Sequence, residues 1–168
     1  MRRRERGFTL LEFGVAGVIL SVLAFILLDR LAYYQDFAEK TAVEMTIMNM
    51  RSGLRYRVAE MLLHGQEAEL PGLASENPVK WLEKHPPQYV GESNVLHWSD
   101  LPPGSWGFDK NRRELIYRVK GRQDFVSAKS DEQGLRLHVR LLKGTPSQSG
   151  QERVVGAELV LVENYRWF

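Results

Sequence analysis

Residues 7–30 read GFTLLEFGVAGVILSVLAFILLDR, and this stretch decides how the rest of the chain is organised. From Phe8 to Leu28 it spans 21 residues with a single charge, Glu12. At about 1.5 Å per residue, a helix of that length is about 31 Å long, which matches a hydrocarbon core of roughly 30 Å. Arg2, Arg3, Arg4 and Arg6 precede it, and Asp29 and Arg30 close it. A basic flank favours the cytoplasmic side, so the bulk of the chain is expected on the far side of the membrane. A removable secretory signal fits poorly. Such a signal ends in small residues at a cleavage site, whereas here Leu27, Leu28, Asp29, Arg30 and Leu31 follow, with Ala32 isolated among large neighbours.

Glu12 is the anomaly of the span. A carboxylate in an apolar helix costs roughly 2.5–3.5 kcal/mol on insertion scales, and such groups are as a rule functional and partnered. A plain uncleaved anchor has no need for one. The run Gly7-Phe8-Thr9-Leu10-Leu11-Glu12, with a basic stretch before it and an apolar helix after it, resembles the type III signal of type IV pilins and type II secretion pseudopilins. The resemblance implies that prepilin peptidase cuts between Gly7 and Phe8 and methylates the new N-terminal Phe8. It also implies that Glu12, the fifth residue of the mature chain, pairs with the amino group of a neighbouring mature N-terminus during assembly. Physical chemistry agrees with this: cleavage creates an ammonium at the membrane edge, and pairing two costly charges offsets the desolvation of both. Gly7, without a side chain, lets the scissile backbone enter a tight site. Many members of the family carry Pro at the position of Asp29. Here no Pro occurs before Pro71, so the helix is expected to run on without that kink.

Downstream the helical signals continue. No Gly or Pro occurs from Val18 to Ser52. Val43, Ile47, Met50, Leu54, Val58 and Met61 recur every three or four residues, which places them on one face of a helix. His64-Gly65 reads as its stop, with Gly at the left-handed cap position. One helix is expected from about Thr9 to His64, apolar all round in its first half and amphipathic in its second. Gly14, Ala16 and Gly17 allow close approach between helices. The methionines Met45, Met48 and Met50 are expected to serve packing.

From Gln66 to Pro103 the chain reads as loop-rich, with one short helix over 77–83 capped by Asn77 and carrying Pro78 in its first turn. Asn-Pro-x-x-Trp-Leu at 77–82, Pro-Pro-x-Tyr-x-Gly at 86–91 and Gly-x-Trp-x-Phe-Asp at 104–109 add a looser resemblance to minor pilin-like proteins. Gly104 to Phe108 and Glu114 to Val119 read as a hairpin around a polar turn, with Leu115, Tyr117 and Val119 on one face. Gly134 to Leu142 alternates apolar and polar residues, and Val154 to Glu163 reads as a last strand. Lys143 to Arg153 reads as a flexible connection. The expected fold class is α+β and pilin-like: a long N-terminal helix packed on a three- or four-stranded antiparallel sheet. The expected divisions are a cleaved basic leader over 1–7, a transmembrane and assembly helix over 8–30, its amphipathic continuation over 31–65, and a periplasmic globular domain over 66–168.

Charge and composition narrow the function classes. The net charge of +2 owes more than its whole value to the four arginines of the leader, which face a single glutamate, so no broad nucleic-acid surface is expected. The chain has no Cys, which excludes disulfides, thiolate metal sites and a Cys nucleophile. His97-Trp98-Ser99-Asp100 contains triad residue types, but adjacency on one loop is not the spatial convergence that catalysis needs. His64, His85, His97 and His138 lack metal-ligand spacing, and Asp124, Asp131 and Glu132 show no calcium-ligand pattern. No enzymatic activity, metal or cofactor is expected, and Trp81, Trp98, Trp106 and Trp167 are expected in the core or at its edges. The expected partners are prepilin peptidase, other pilin or pseudopilin subunits and an inner-membrane assembly platform. The rival from another class is a membrane-tethered periplasmic binding or enzymatic domain that keeps its N-terminal anchor.

Overall fold

The computed structural model describes residues 9–121, 125–127, 134–144 and 153–167. One α-helix, α1 (Leu10–Leu63), is 54 residues long and passes through Asp29 without interruption, as the absence of a nearby Pro leads one to expect. The chain divides into two compact units, Met1–Ala38 and Glu39–Phe168. In the first unit no described residue is buried. Its helical stretch is apolar on every side, and its hydroxyl at Ser21 is satisfied inside the helix by donating to the Gly17 carbonyl at 2.8 Å.

The second unit holds the core. From Glu39 onward α1 is amphipathic, and Val43, Ile47, Met50, Leu54 and Met61 of the expected stripe are buried, with Val58 packed against them. Of the three methionines only Met50 packs. Met45 and Met48 are 55% and 54% exposed, because they point away from the stripe, so packing does not account for them. The helix ends as expected. Gly65 adopts φ +67°, its N–H bonds the Leu62 carbonyl, and the Gln66 N–H bonds the Met61 carbonyl at 2.8 Å. This pair of bonds satisfies carbonyls that a helix end otherwise leaves bare.

Seven strands follow among the described residues: β1 (Tyr89–Ser93), β2 (Ser105–Asp109), β3 (Glu114–Arg118), β4 (Phe125–Ser127), β5 (Gly134–Lys143), β6 (Val154–Leu161) and β7 (Tyr165–Trp167). They form a five-stranded sheet in the order β1-β2-β3-β5-β6 and a two-stranded sheet of β4 and β7. The expected hairpin is present, with Trp106 opposite Tyr117 and Phe108 opposite Leu115. The sheet is wider than expected and not wholly antiparallel, since β1 runs parallel to β2. The segment expected to be loop-rich, Gln66 to Pro103, contains strand β1 and 3-10 turns at Glu67–Ser75, Pro78–Trp81 and Trp98–Asp100. The expected short helix is the second of these, with Asn77 accepting from the Val79 N–H at 3.0 Å. The expected connection from Lys143 to Arg153 lies, over 145–152, outside the described residues.

Leu115, Tyr117 and Val119 share the face that meets the helix stripe, together with Leu135, Leu137, Val139, Ala157 and Leu159. Trp106 and Trp167 are buried in this core, and Trp81 packs at its margin. A smaller cluster of Leu96, Leu101, Ile116 and Trp98 covers the opposite face of β2 and β3. There the Arg118 guanidinium donates to the Trp98 and Leu101 carbonyls at 3.1 and 2.6 Å, tying the loop down. The start of the amphipathic segment is fastened by polar groups. The Glu39 carboxylate accepts from the Tyr117 hydroxyl at 2.7 Å and the Lys120 N–H at 2.8 Å, while Lys40 donates to the Trp167 carbonyl at 2.9 Å.

Candidate functional site

The residues with the strongest functional motive lie at the start of α1. Gly7 and Phe8 are outside the described residues; Thr9 and Glu12 are not. Helix formation leaves its first N–H groups without intrahelical acceptors. Here the Thr9 N–H and the Thr9 hydroxyl both donate to Glu12 Oε2, at 2.9 and 2.8 Å, and the Glu12 N–H donates to Thr9 Oγ1 at 3.2 Å. This reciprocal arrangement is a capping box, Thr at the cap and Glu three residues on. Its signal, Thr-x-x-Glu before an apolar run, stands in the sequence at Thr9 to Glu12.

The cap changes the reading of Glu12 in two ways. First, a plain helix has a use for this carboxylate, so its presence alone does not demand a partner chain. Second, the cap engages one oxygen only: Oε1 accepts no hydrogen bond from the described residues. The anion is thus held at the N-terminal end of the helix, where the peptide dipoles favour it.

Behind this carboxylate the helix is apolar and open. Leu10, Leu11 and Phe13 are 92%, 78% and 73% exposed, and the apolar side chains continue so through Leu28. A window of this helix has a mean hydropathy of 2.5, which makes it long and apolar enough to cross a membrane. A Cβ added at Gly14 or Gly17 would meet nothing, so each leaves a notch in the helix surface.

The other residues singled out by chemistry hold local structure. The Asp100 carboxylate accepts from the His97 N–H at 3.0 Å and the Ser99 hydroxyl at 3.2 Å, which fixes the 3-10 turn that these residues form. Among the described residues no cluster of His, Asp and Glu is arranged to hold a metal ion. Asp124, Asp131 and Glu132 lie outside them. Glu92, which no sequence pattern marks, gathers polar contacts from three residues. It accepts from Asn77 at 2.9 Å and pairs with Lys80 and Lys110 at 3.1 and 3.2 Å. The Asn77 hydrogen bond, helped by the two ammonium groups and opposed by burial, holds its carboxyl down at about 2. This knot joins the turn at Pro78–Trp81 to β1 and to the β2–β3 turn, and its chemistry is structural. Compared with models of protein families, with curated proteins and with solved structures, the chain matches none.

Proposed function

We propose that this chain is the precursor of a minor structural subunit of a type IV pilus or a type II secretion pseudopilus in a Gram-negative bacterium. In this reading prepilin peptidase removes residues 1–7, cutting after Gly7, and Phe8 is methylated. The chain starts as a single-pass inner-membrane protein with its N-terminus in the cytoplasm and residues 66–168 in the periplasm. It then leaves the bilayer by packing its apolar helix among those of other pilin or pseudopilin subunits on an assembly platform. The observation that carries the reading is Glu12: a carboxylate fixed at the start of an exposed apolar stretch of helix, with Oε1 accepting from none of the described residues. Such a group suits the ammonium that cleavage creates at Phe8 of a neighbour, because each charge relieves the other's desolvation.

The capping box supports a second reading, in which Glu12 only begins the helix of an uncleaved anchor that tethers a periplasmic binding or enzymatic domain. Two substitutions separate the readings. Thr9→Ala removes the cap's hydroxyl and keeps the carboxylate; Glu12→Ala removes both functions. Subunit assembly, followed as recovery in sheared filaments or as crosslinks to partner subunits, is expected to survive Thr9→Ala and to fail in Glu12→Ala, with membrane insertion intact in both. Equal behaviour of the two variants selects the capped anchor. Sequencing of the mature N-terminus is the companion measurement: Phe8 is expected, and Met1 in the presence of the peptidase overturns the proposal.

A further inference from the structure

β6 is the last strand in the sheet order, so one of its sides has no strand beside it among the described residues. In an antiparallel pair, successive residues turn their N–H and C=O alternately toward the neighbour and away. The Val162 N–H bonds the Arg136 carbonyl on the β5 side, whereas the Leu159 carbonyl accepts from Arg51 Nε at 3.0 Å. Ala157, Leu159 and Leu161 therefore direct their peptide groups outward. Beside this edge lies a cavity of ≈ 390 Å³, whose lining includes Arg51, Leu54 and Arg55 of α1 and Ala157, Glu158 and Leu159 of β6; the Glu158 carboxylate is paired with Arg140. Leu54, Ala157 and Leu159 give it a buried apolar floor. Arg51 and Arg55 are exposed on its rim, and neither forms an ion pair among the described residues: Arg55 donates to Ser52 Oγ at 3.2 Å, and Arg51 to the edge carbonyl.

We infer that this groove is a docking site for an extended segment of another protein that carries an acidic side chain. The segment adds to β6 by main-chain hydrogen bonds and sets its carboxylate against Arg51 and Arg55. Each part of the groove has a role in such recognition. The outward peptide groups of Ala157, Leu159 and Leu161 supply the ladder, and the floor accepts alternate side chains. Two guanidiniums on the rim, against one carboxylate, Glu158, that Arg140 already neutralises, favour an acid over a neutral or basic residue. In the absence of a segment, the Arg51 side chain occupies the Leu159 carbonyl and blunts the edge, a protection that open strands require. A second copy of this chain is the poorer occupant. A two-fold join of two β6 edges keeps both helices on the same side of the continuous sheet, which sets Arg51 and Arg55 of one copy against those of the other. The inference rests on the fold of residues 39–168 and is independent of any cleavage at Gly7.

The test uses the full chain in detergent micelles and three blocked nonapeptides of alternating Val and Thr: one with a central Asp, one with Lys in its place, and the Asp peptide N-methylated at alternate amides. Binding is followed by fluorescence anisotropy and by hydrogen exchange of the β6 amides. The Asp peptide is expected to bind and to protect the Ala157 and Leu159 N–H groups. Affinity is expected to fall at least about tenfold with the Lys peptide and with Arg51→Glu/Arg55→Glu, because the charge match is reversed. The N-methylated peptide is expected not to bind. The inference is overturned if the Asp peptide fails to protect these amides up to about 1 mM, the weakest affinity that matters for a docking contact. Equal binding by the N-methylated peptide overturns it too, as does protection of the same amides through self-association without peptide.

Discussion

At the scale of single residues, two polar contacts have measurable consequences. The Tyr117 hydroxyl is buried and bonds Glu39; burial first, then the adjacent carboxylate, pushes its pKa well above the usual phenol range. It is thus a permanent donor at neutral pH, and Tyr117→Phe removes one charge-assisted hydrogen bond while Glu39 keeps the Lys120 N–H. A loss of about 1.5–3 kcal/mol in urea denaturation is expected. A raised folded pKa on a group that is neutral when protonated means that this contact stabilises the fold below about pH 10, the unfolded value, and weakens as pH rises above it. Glu92 has the opposite sign. The Asn77 hydrogen bond and the two ammonium groups hold its carboxyl at about 2 in the fold, below the ordinary value of 4.5, so its contribution is present in full above pH 4.5 and is lost as pH falls from there toward 2. Glu92→Gln is expected to flatten the pH dependence of stability in that window and to cost about 1 kcal/mol at pH 7, a figure kept small by partial solvent exposure. A variant whose acid limb matches the parent's contradicts the assignment.

At the scale of elements, two glycines of the helix region give opposite lessons about substitution. Gly65 ends α1 at φ +67° with nothing within 4 Å of an added Cβ, so Gly65→Ala meets only backbone strain and is expected to cost about 1 kcal/mol. Gly53 sits inside α1, where helix propensity favours Ala by about 1 kcal/mol. Its added Cβ, however, would stand 2.6 Å from the Trp81 carbonyl oxygen and 2.9 Å from Trp81 Cβ, and a backbone carbonyl cannot swing aside as a side-chain tip does. Crowding outweighs propensity, and Gly53→Ala is expected to be net destabilising by about 1–3 kcal/mol in thermal or urea melts. The same contrast explains what the sequence revealed. The stripe from Val43 to Met61 was legible because burial on one helix face imposes a period that no other structure shares. The hairpin of β2 and β3 and the alternation in β5 were legible for the corresponding reason in strands. Strand β1, Tyr89-Val90-Gly91-Glu92-Ser93, was not: its burial alternates weakly, Val90 is exposed, and its parallel place beside β2 is set by Asn77, Lys80 and Lys110 gathering on Glu92. At the candidate site, the sequence exposed the cost of Glu12 but not its cap, because a Thr three residues upstream looks unremarkable until the helix start is fixed at Leu10.

At the scale of the whole chain, the packed core and the stretch apolar enough to cross a membrane are made of different residues. Every buried residue of the core cluster lies at or beyond Val43, and no described residue before Glu39 is buried. The apolar side chains from Leu10 to Leu28 are exposed; at about 25 cal/mol per Å², that surface represents free energy available from lipid or from other helices. A shortened chain beginning at Arg30 keeps Glu39 and Lys40, whose contacts with Tyr117, Lys120 and Trp167 fasten the amphipathic segment of α1, and it loses only surface that the fold does not use. It is expected to be soluble without detergent and to unfold cooperatively in urea, with a slope and midpoint close to those of the second unit in the full chain, since the slope follows the area exposed on unfolding and that area is unchanged. The full chain, by contrast, is expected to stay with the membrane fraction after carbonate washing. A large fall in the urea midpoint on removing residues 1–29 would mean that the apolar segment supports the folded unit directly. The division of labour between a self-sufficient core and an anchoring helix would then be wrong.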